Sequence, residues 1–466
     1  EGHFFHEQSR NQYNFMRRGE LIMAFLMTNL FPDEIRIVGS DFAEKNKELD
    51  TKKDYYDIAV GADQYSDTPK GSVYWDYSSG AFGQYYVGAL ITLGLVERKK
   101  EYFKRTDDKG LQLANAFGNS ISGDAKNLML QCIEEGKLYP NQIDPLKEFA
   151  IHNIQKNTEE WEFYFNLLCE NDGIEFKMLD ENIPSQRLES IVLFLQYIRD
   201  YGNKDYQKAF PKKIYQGKGS LDDMKKTEAS VGWYFYTLNE WVHLSLETIF
   251  WALLKFMEKP NGFSPIPDFI ESLSEQVVKA NANQKPIYSK SNIEEIINEI
   301  QTNKTDEPFY QQRINEAIKN ENPAQAILQS LLLLFHLYKN NQNYQELIRG
   351  YSVNHYLNDK HGNCLEIFKT FLKRNKNIDF HRFLKDVIKR IMNDHISIAY
   401  WKMGTGKKNL LKFIIEDNHV TLVEIMDPVS TSPRLETLYT ILKDIQLIDD
   451  QGKVTKKGEE LIEEFE

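Results

Sequence analysis

With 466 residues the chain exceeds a single typical core, so two to four domains are expected. A hydrophobic content of 41% and an aromatic content of 13% can fill such cores, which excludes wholesale disorder. The formal net charge of −12 excludes generic coating of nucleic acid and fits a soluble cytoplasmic protein, so any contact with a polyanion has to come from a local surplus of cations.

Residues 10–31 carry apolar side chains at helical spacing and predict the first helix. Residues 32–76 are charged and rich in Gly, Asp, Ser and Pro, which predicts a long loop excursion. Residues 84–118 then read as an amphipathic helix, a Leu-Gly-Leu-Val exit, a basic hairpin and a second helix. From about 120 to 210 the pattern is helical; after Pro184 one helix places Leu188, Ile191, Val192, Leu195 and Ile198 on a single face. Residues 211–230 read as a basic, Gly-containing linker. Residues 231–360 read as a run of helices broken at Pro, Asn and Gly clusters, with no fixed repeat period. The most apolar stretches, 232–257 and 324–338, are interrupted by Glu240, His243 and Glu247 or too short to span a bilayer, which predicts buried core helices and no membrane partner. In the last hundred residues Ile396–Trp401 and Val420–Met426 read as strands flanking a helix around Lys407–Ile415, followed by a closing module over 434–466. These shifts suggest segments 1–120, 121–230, 231–360 and 361–466.

The segment 84–118 and the segment 434–466 share one grammar: helix, apolar exit, polar hairpin, and a Thr placed to cap the next helix. Thr106 is followed by Gly110, and Thr455 by Gly458. This grammar resembles the back half of the winged helix-turn-helix superfamily, in which the helix before the hairpin can enter the major groove and the wing can touch phosphates. In the first module Arg98, Lys99, Lys100, Lys104 and Arg105 crowd the hairpin and suit phosphate contact. The second is acidic around Glu459, Glu460, Glu463 and Glu464, which favours protein contact. The resemblance leaves open whether either module meets DNA or protein.

A second basic field lies in residues 361–412, where twelve Lys and Arg face four Asp and Glu, a local balance of 12 − 4 = +8. Lys373, Arg374, Arg382, Lys385, Lys389, Arg390, Lys407 and Lys408 are its candidate phosphate contacts. The alternative is a solvated helix face or a dock for an acidic partner.

Patterns that would carry chemistry are incomplete. Met403-Gly404-Thr405-Gly406-Lys407-Lys408 has Trp401 and Lys408 where a phosphate loop needs Gly and Ser or Thr. Glu240, His243 and Glu247 share a helix face but lack the second Glu-x-x-His of a di-metal bundle. Asp172, Glu175 and Lys177 imitate a metal-dependent nuclease, with the Asp too close in sequence. His355, His361 and Cys364 lack a fourth ligand, and Cys132, Cys169 and Cys364 form no CxxC pair. No catalytic residue, metal site or cofactor is therefore expected.

The expected fold is mainly α: a helical body with small α+β winged-helix-like modules near the N- and C-termini. The expected role is a non-enzymatic subunit that binds double-stranded DNA or assembles with other protein subunits. The order of modules loosely resembles accessory subunits of bacterial antiphage and DNA-modification-dependent restriction systems. A protein–protein scaffold and a metal-dependent nuclease are the competing classes.

Overall fold

Leu21, Ile22, Phe25 and Leu26 recur at helical spacing, and all four are buried on one side of helix α1 (Ser9–Leu30). The protein is seen here as a computed structural model that describes residues 9–33, 37–49, 53–65, 67–99, 102–150, 154, 158–169, 176–178, 181–183, 187–217, 228–258, 263–282, 292–300, 306–342, 364–404, 409–429, 431 and 433–465. It is mainly helical, with small antiparallel sheets. Its contacts divide it into two compact units, residues 1–195 with 439–466 and residues 196–438.

In unit 1, α1 is followed by α2 (Ser40–Lys45), β1 (Tyr56–Asp57) and α3 (Ile58–Ala62). A π-helical turn, Phe82–Tyr86, runs into α4 (Val87–Thr92), and the hairpin β2 (Val96–Arg98) and β3 (Phe103–Arg105) leads to α5 (Lys109–Ser120). Next come α6 (Gly123–Glu135), β4 (Lys137–Leu138), two 3-10 turns (Pro140–Gln142 and Asp144–Phe149), α7 (Glu159–Cys169), the hairpin β5 (Phe176–Met178) and β6 (Glu181–Ile183), and α8 (Arg187–Tyr201), in which the boundary to unit 2 falls. The core packs the apolar face of α1 against Tyr56, Ile58, Met129, Cys132, Ile133, Leu138 and Leu146, and β1 pairs with β4 through Tyr56 and Leu138.

The stretch 32–76, expected as a long loop, contains α2, β1 and α3, and two charged groups of α1 bond its backbone and that of the residues just after it. The Arg17 guanidinium is fully buried and donates to the carbonyls of Ala62, Trp75 and Tyr77. Three residues on, the Glu20 carboxylate accepts from the backbone N–H groups of Ala81 (3.0 Å) and Phe82 (2.6 Å) and from the Tyr74 hydroxyl. One helical turn thus satisfies backbone groups of the chain between Ala62 and Phe82, as buried irregular chain requires.

In unit 2 the elements are α9 (Tyr206–Gln216), α10 (Glu228–Glu258), β7 (Phe263–Pro265), α11 (Ile266–Ala282), α12 (Ile293–Glu299), α13 (Asp306–Lys319), α14 (Pro323–Asn340), α15 (Cys364–Asn375), α16 (Phe380–Gly404), β8 (Phe413–Glu416) and β9 (His419–Leu422). The expected core helices are the long α10 and α14, which form the centre of the unit with α11, α13 and α16 around them. None of the described helices is long and apolar enough to cross a membrane. Strand β9 lies between β7 and β8.

Three local expectations are corrected. The stretch 211–230 is not a linker throughout: α9 continues through Pro211 to Gln216, and α10 begins at Glu228. Ile396–Trp401 is helical, because α16 runs on to Gly404 with Ala399 buried against its neighbours. The segment ending at Ile415 is not a helix from Phe413 onward. Phe413, fully buried, and Ile415 belong to β8, which pairs with β9 through Phe413–Leu422 and Ile415–Val420. The chain closes with α17 (Leu435–Asp444) and α18 (Lys456–Glu463), the unit boundary falling inside α17.

Candidate nucleic-acid interface

The two terminal modules share a set of backbone and threonine hydrogen bonds. After α4 the chain turns at Gly94 with φ of 71°, and after α17 at Gln446 with φ of 62°. Leu95 N–H then donates to Leu90 (2.9 Å), and Leu447 N–H to Leu442 (2.8 Å). On the far side of each hairpin a Thr closes the turn. Thr106 N–H donates to Leu95 O (3.1 Å) and its hydroxyl to Gly94 O (2.8 Å); Thr455 N–H donates to Leu447 O (3.0 Å) and its hydroxyl to Gln446 O (2.7 Å). Each Thr hydroxyl also accepts a backbone N–H, from Gly110 (2.8 Å) and from Gly458 (3.3 Å). A Cβ on Gly110 would stand 2.2 Å from Leu95 O and one on Gly458 2.6 Å from Leu447 O, so both helices approach the exit strand in a way that only glycine permits.

The spacing differs for a structural reason. Thr455 is itself the N-cap of α18, whereas α5 starts later, with Asp108 as N-cap. The Thr106 hydroxyl serves the helix without being its N-cap, and Asp108, held by the Lys109 N–H and by Thr106, titrates below the usual carboxylate range.

The hairpin cations of the first module are partly neutralised. Lys99 pairs with Glu97 (2.8 Å), and Lys104 bonds Asp107 (2.9 Å) and lies 3.7 Å from Glu97. The Asp107 contact raises the ammonium of Lys104 and lowers the carboxyl of Asp107. Arg98 lies over the Phe103 ring at 5.9 Å, and Arg105 is exposed. Lys100 lies outside the described residues. The helix before the hairpin exposes Gln84, Tyr85, Tyr86, Gly88, Ala89 and Ile91, and no charged residue occurs between Phe82 and Thr92.

The second basic field lies in unit 2 on α15 and α16. Lys385 pairs with Glu271 of α11 (3.2 Å) and Arg390 with Asp394 (2.7 Å). Lys373 and Arg374, in the last turn of α15, and Arg382 and Lys389, two turns apart on the solvent side of α16, are exposed and make no ion pair among the described residues. Opposite them along α16, Phe383, Leu384, Val387 and Ile388 enter the core. Lys407 and Lys408 lie outside the described residues, as do Thr405 and Gly406 of the same turn.

The other clusters are structural or fall outside the described residues. Glu240 accepts the Thr431 N–H (3.1 Å) and hydroxyl (2.6 Å), and Glu247 accepts the Val429 N–H (2.8 Å) while pairing with His243 (3.2 Å). This face of α10 holds the extended segment after β9. Residues 172 and 175, as well as His355 and His361, are outside the described residues, and Lys177 is in β5 opposite Asn182. No group of three or more His, Cys, Asp or Glu that could hold a metal occurs among the described residues. Burial raises the thiols of Cys132 to about 11 and Cys169 to about 12, so both stay protonated at neutral pH, the opposite of an activated nucleophile.

One buried polar cluster carries no sequence signature. Glu307 and His336 are fully buried and 3.3 Å apart. Glu307 accepts the Tyr215 hydroxyl (2.8 Å), His336 bonds Asn340 (2.8 Å), and the Tyr234 hydroxyl donates to Asn341. These bonds join α9, α10, α13 and α14. Apart from His336 and Asn340, one turn apart on α14, the partners are widely separated along the chain, so no local pattern marks the cluster.

No family model, curated protein or solved structure matches this chain.

Proposed function

We propose that this protein is a non-enzymatic subunit that binds double-stranded DNA through α15 and α16 and assembles with other protein subunits, its two hairpin modules being of the winged-helix kind. The observation that carries the reading is the set of four exposed cations, Lys373, Arg374, Arg382 and Lys389, without ion pairs among the described residues of a chain whose net charge is −12. Such groups gain little from their own protein and release counterions on meeting phosphates. Four phosphate contacts imply a slope of log K against log salt of about −3.6, or a loss on the order of 10²-fold between 50 and 200 mM. Electrophoretic titration of duplex DNA at those two salt concentrations tests this. The quadruple variant K373E/R374E/R382E/K389E is expected to lose the shift, and an unchanged shift with an unchanged salt slope refutes the assignment.

A protein scaffold without DNA binding is the second reading, and the uncharged outer face of Gln84–Ile91 favours it for the first module. A helix that reads base edges uses Arg, Lys, Asn or Gln; here Gln84 is the single such residue on the face, and its Oε1 already accepts the Trp75 indole N–H at 2.7 Å. Tyr85 and Tyr86 suit a protein interface better. Absence of any shift at 50 mM salt leaves this reading. The sequence resemblance points to a bacterial antiphage complex as the setting.

A further inference from the structure

Unit 1 holds a cavity of about 510 Å³ among α1, α5, α6, α7 and the turn Asp144–Phe149, within the size range of small-molecule sites. One part of its wall is apolar: Met23 from α1, Met129 and Ile133 from α6, and the rings of Phe117 and Phe149, which meet edge to face at 5.9 Å. One charged group enters this surface from α7. Glu160 is only 7% exposed, and its carboxylate accepts the Ser120 hydroxyl at 2.9 Å. Tyr164, one turn further along α7, lines the same cavity, its hydroxyl raised to about 12 by burial and by the neighbouring Glu160. Glu148, also in the lining, has both oxygens occupied by the Ser122 N–H (2.6 Å) and hydroxyl (2.9 Å). Among the described residues no cation lines the cavity and Glu160 makes no ion pair.

A carboxylate only 7% exposed, facing a cavity with a partly apolar wall, is stabilised when a positive group and further donors reach it. Here the described protein partner is one neutral hydroxyl, and a second hydroxyl stands beside it. We propose that this cavity binds a small organic cation, with its ammonium or amidinium head on Glu160 and Tyr164 and its apolar body against Met23, Met129, Ile133 and the two phenylalanine rings. An N–H donor head and a flat or branched hydrocarbon body match the lining; an anion of the same shape does not.

The test compares benzamidine with benzoate, two planar ligands of similar size and opposite charge, by calorimetric titration of the full chain. Benzamidine is expected to bind and benzoate to bind at least roughly tenfold more weakly. Glu160→Gln keeps the acceptor for Ser120 and removes the charge, so its melting temperature should stay near wild type while benzamidine affinity falls roughly tenfold or more. Gly19→Leu supplies a second, independent probe. Gly19 lines the cavity and its Cβ would stand 3.6 Å from Ile133 Cδ1, an ordinary contact, so the added side chain fills the space without forcing the backbone and should abolish binding. The proposal is overturned if the two ligands bind alike, if Glu160→Gln retains full affinity for benzamidine, or if no heat beyond dilution is seen with benzamidine at millimolar concentration.

Discussion

Replacing Arg17 by Met tests whether one buried guanidinium organises the irregular half of unit 1. The substitution preserves much of the apolar stem and removes the donors to Ala62, Trp75 and Tyr77. The Ala62 carbonyl is buried and would be left without a partner, a loss of about 1–3 kcal/mol. The carbonyls of Trp75 and Tyr77 are part-buried and regain some water, so each costs about 0.5–1.5 kcal/mol. Summed, unit 1 should lose roughly 2–6 kcal/mol, a large share of ordinary domain stability. Arg17→Lys can satisfy fewer of these acceptors at once and should fall between wild type and Arg17→Met. Urea denaturation followed by tryptophan fluorescence measures both, since Trp75 lies in the segment being held. A loss below about 1 kcal/mol in Arg17→Met would show that the loop is held by something other than this side chain.

Gly458→Ala should destabilise unit 1 by about 1–3 kcal/mol despite alanine's better helix propensity, because its methyl meets Leu447 O at 2.6 Å; an unchanged melting temperature contradicts that contact, and Gly110→Ala, with its Cβ 2.2 Å from Leu95 O, should behave likewise. His395 is held below its ordinary pKa by burial and then by Lys412, while its Nε2 accepts the Lys412 N–H at 3.0 Å. A depressed histidine stabilises the fold above its unfolded value, about 6.5, and that contribution disappears as pH falls through the folded value; unit 2 should therefore weaken on acidification below about pH 6.5, and a His395→Gln variant with the same acid slope as wild type would rule this out. The Lys457 ammonium lies 3.9 Å and 3.8 Å from the ring centroids of Trp161 and Phe165, so Lys457→Met should cost about 0.5–2 kcal/mol in thermal unfolding, with little change if both rings are replaced by Leu beforehand.

Much of the helical framework is legible in local pattern. The spacing of Leu188, Ile191, Val192, Leu195 and Ile198 marks α8, and the apolar stretches of α10 and α14 announce the centre of unit 2, because helices that bury most of their circumference need few polar positions. The paired Thr and Gly residues of the two hairpin modules are legible too, since each serves a backbone group only a few residues away. Pattern misleads at Ile396–Trp401, where Ile, Ser, Ile, Ala, Tyr and Trp alternate like a strand. That stretch is the end of α16, and Ile398, Tyr400 and Trp401 remain exposed there. Partners distant in sequence are not legible. The shared face of Glu240, His243 and Glu247 is visible in the spacing, but its role in holding Val429 and Thr431 is not. Arg17, Glu20, Glu307, His336 and Glu160 carry no motif, because each is defined by groups brought to it by tertiary structure. For the basic field the sequence shows the surplus of charge, whereas only the fold separates Lys385 and Arg390, which are paired, from Lys373, Arg374, Arg382 and Lys389, which make no ion pair among the described residues.

Unit 1 is discontinuous, made of residues 1–195 and 439–466, with all of unit 2 encoded between them. On the ribosome, the N-terminal portion emerges first and must wait for 243 residues of intervening chain before its last piece arrives. Unit 2 meets no such delay, because its residues are contiguous. During the interval the rings of Trp161 and Phe165 lack the Lys457 ammonium that packs on them in the folded unit. Relocating residues 439–466 to follow Leu195 would convert both units into uninterrupted stretches and remove the long loop closure from the assembly of unit 1.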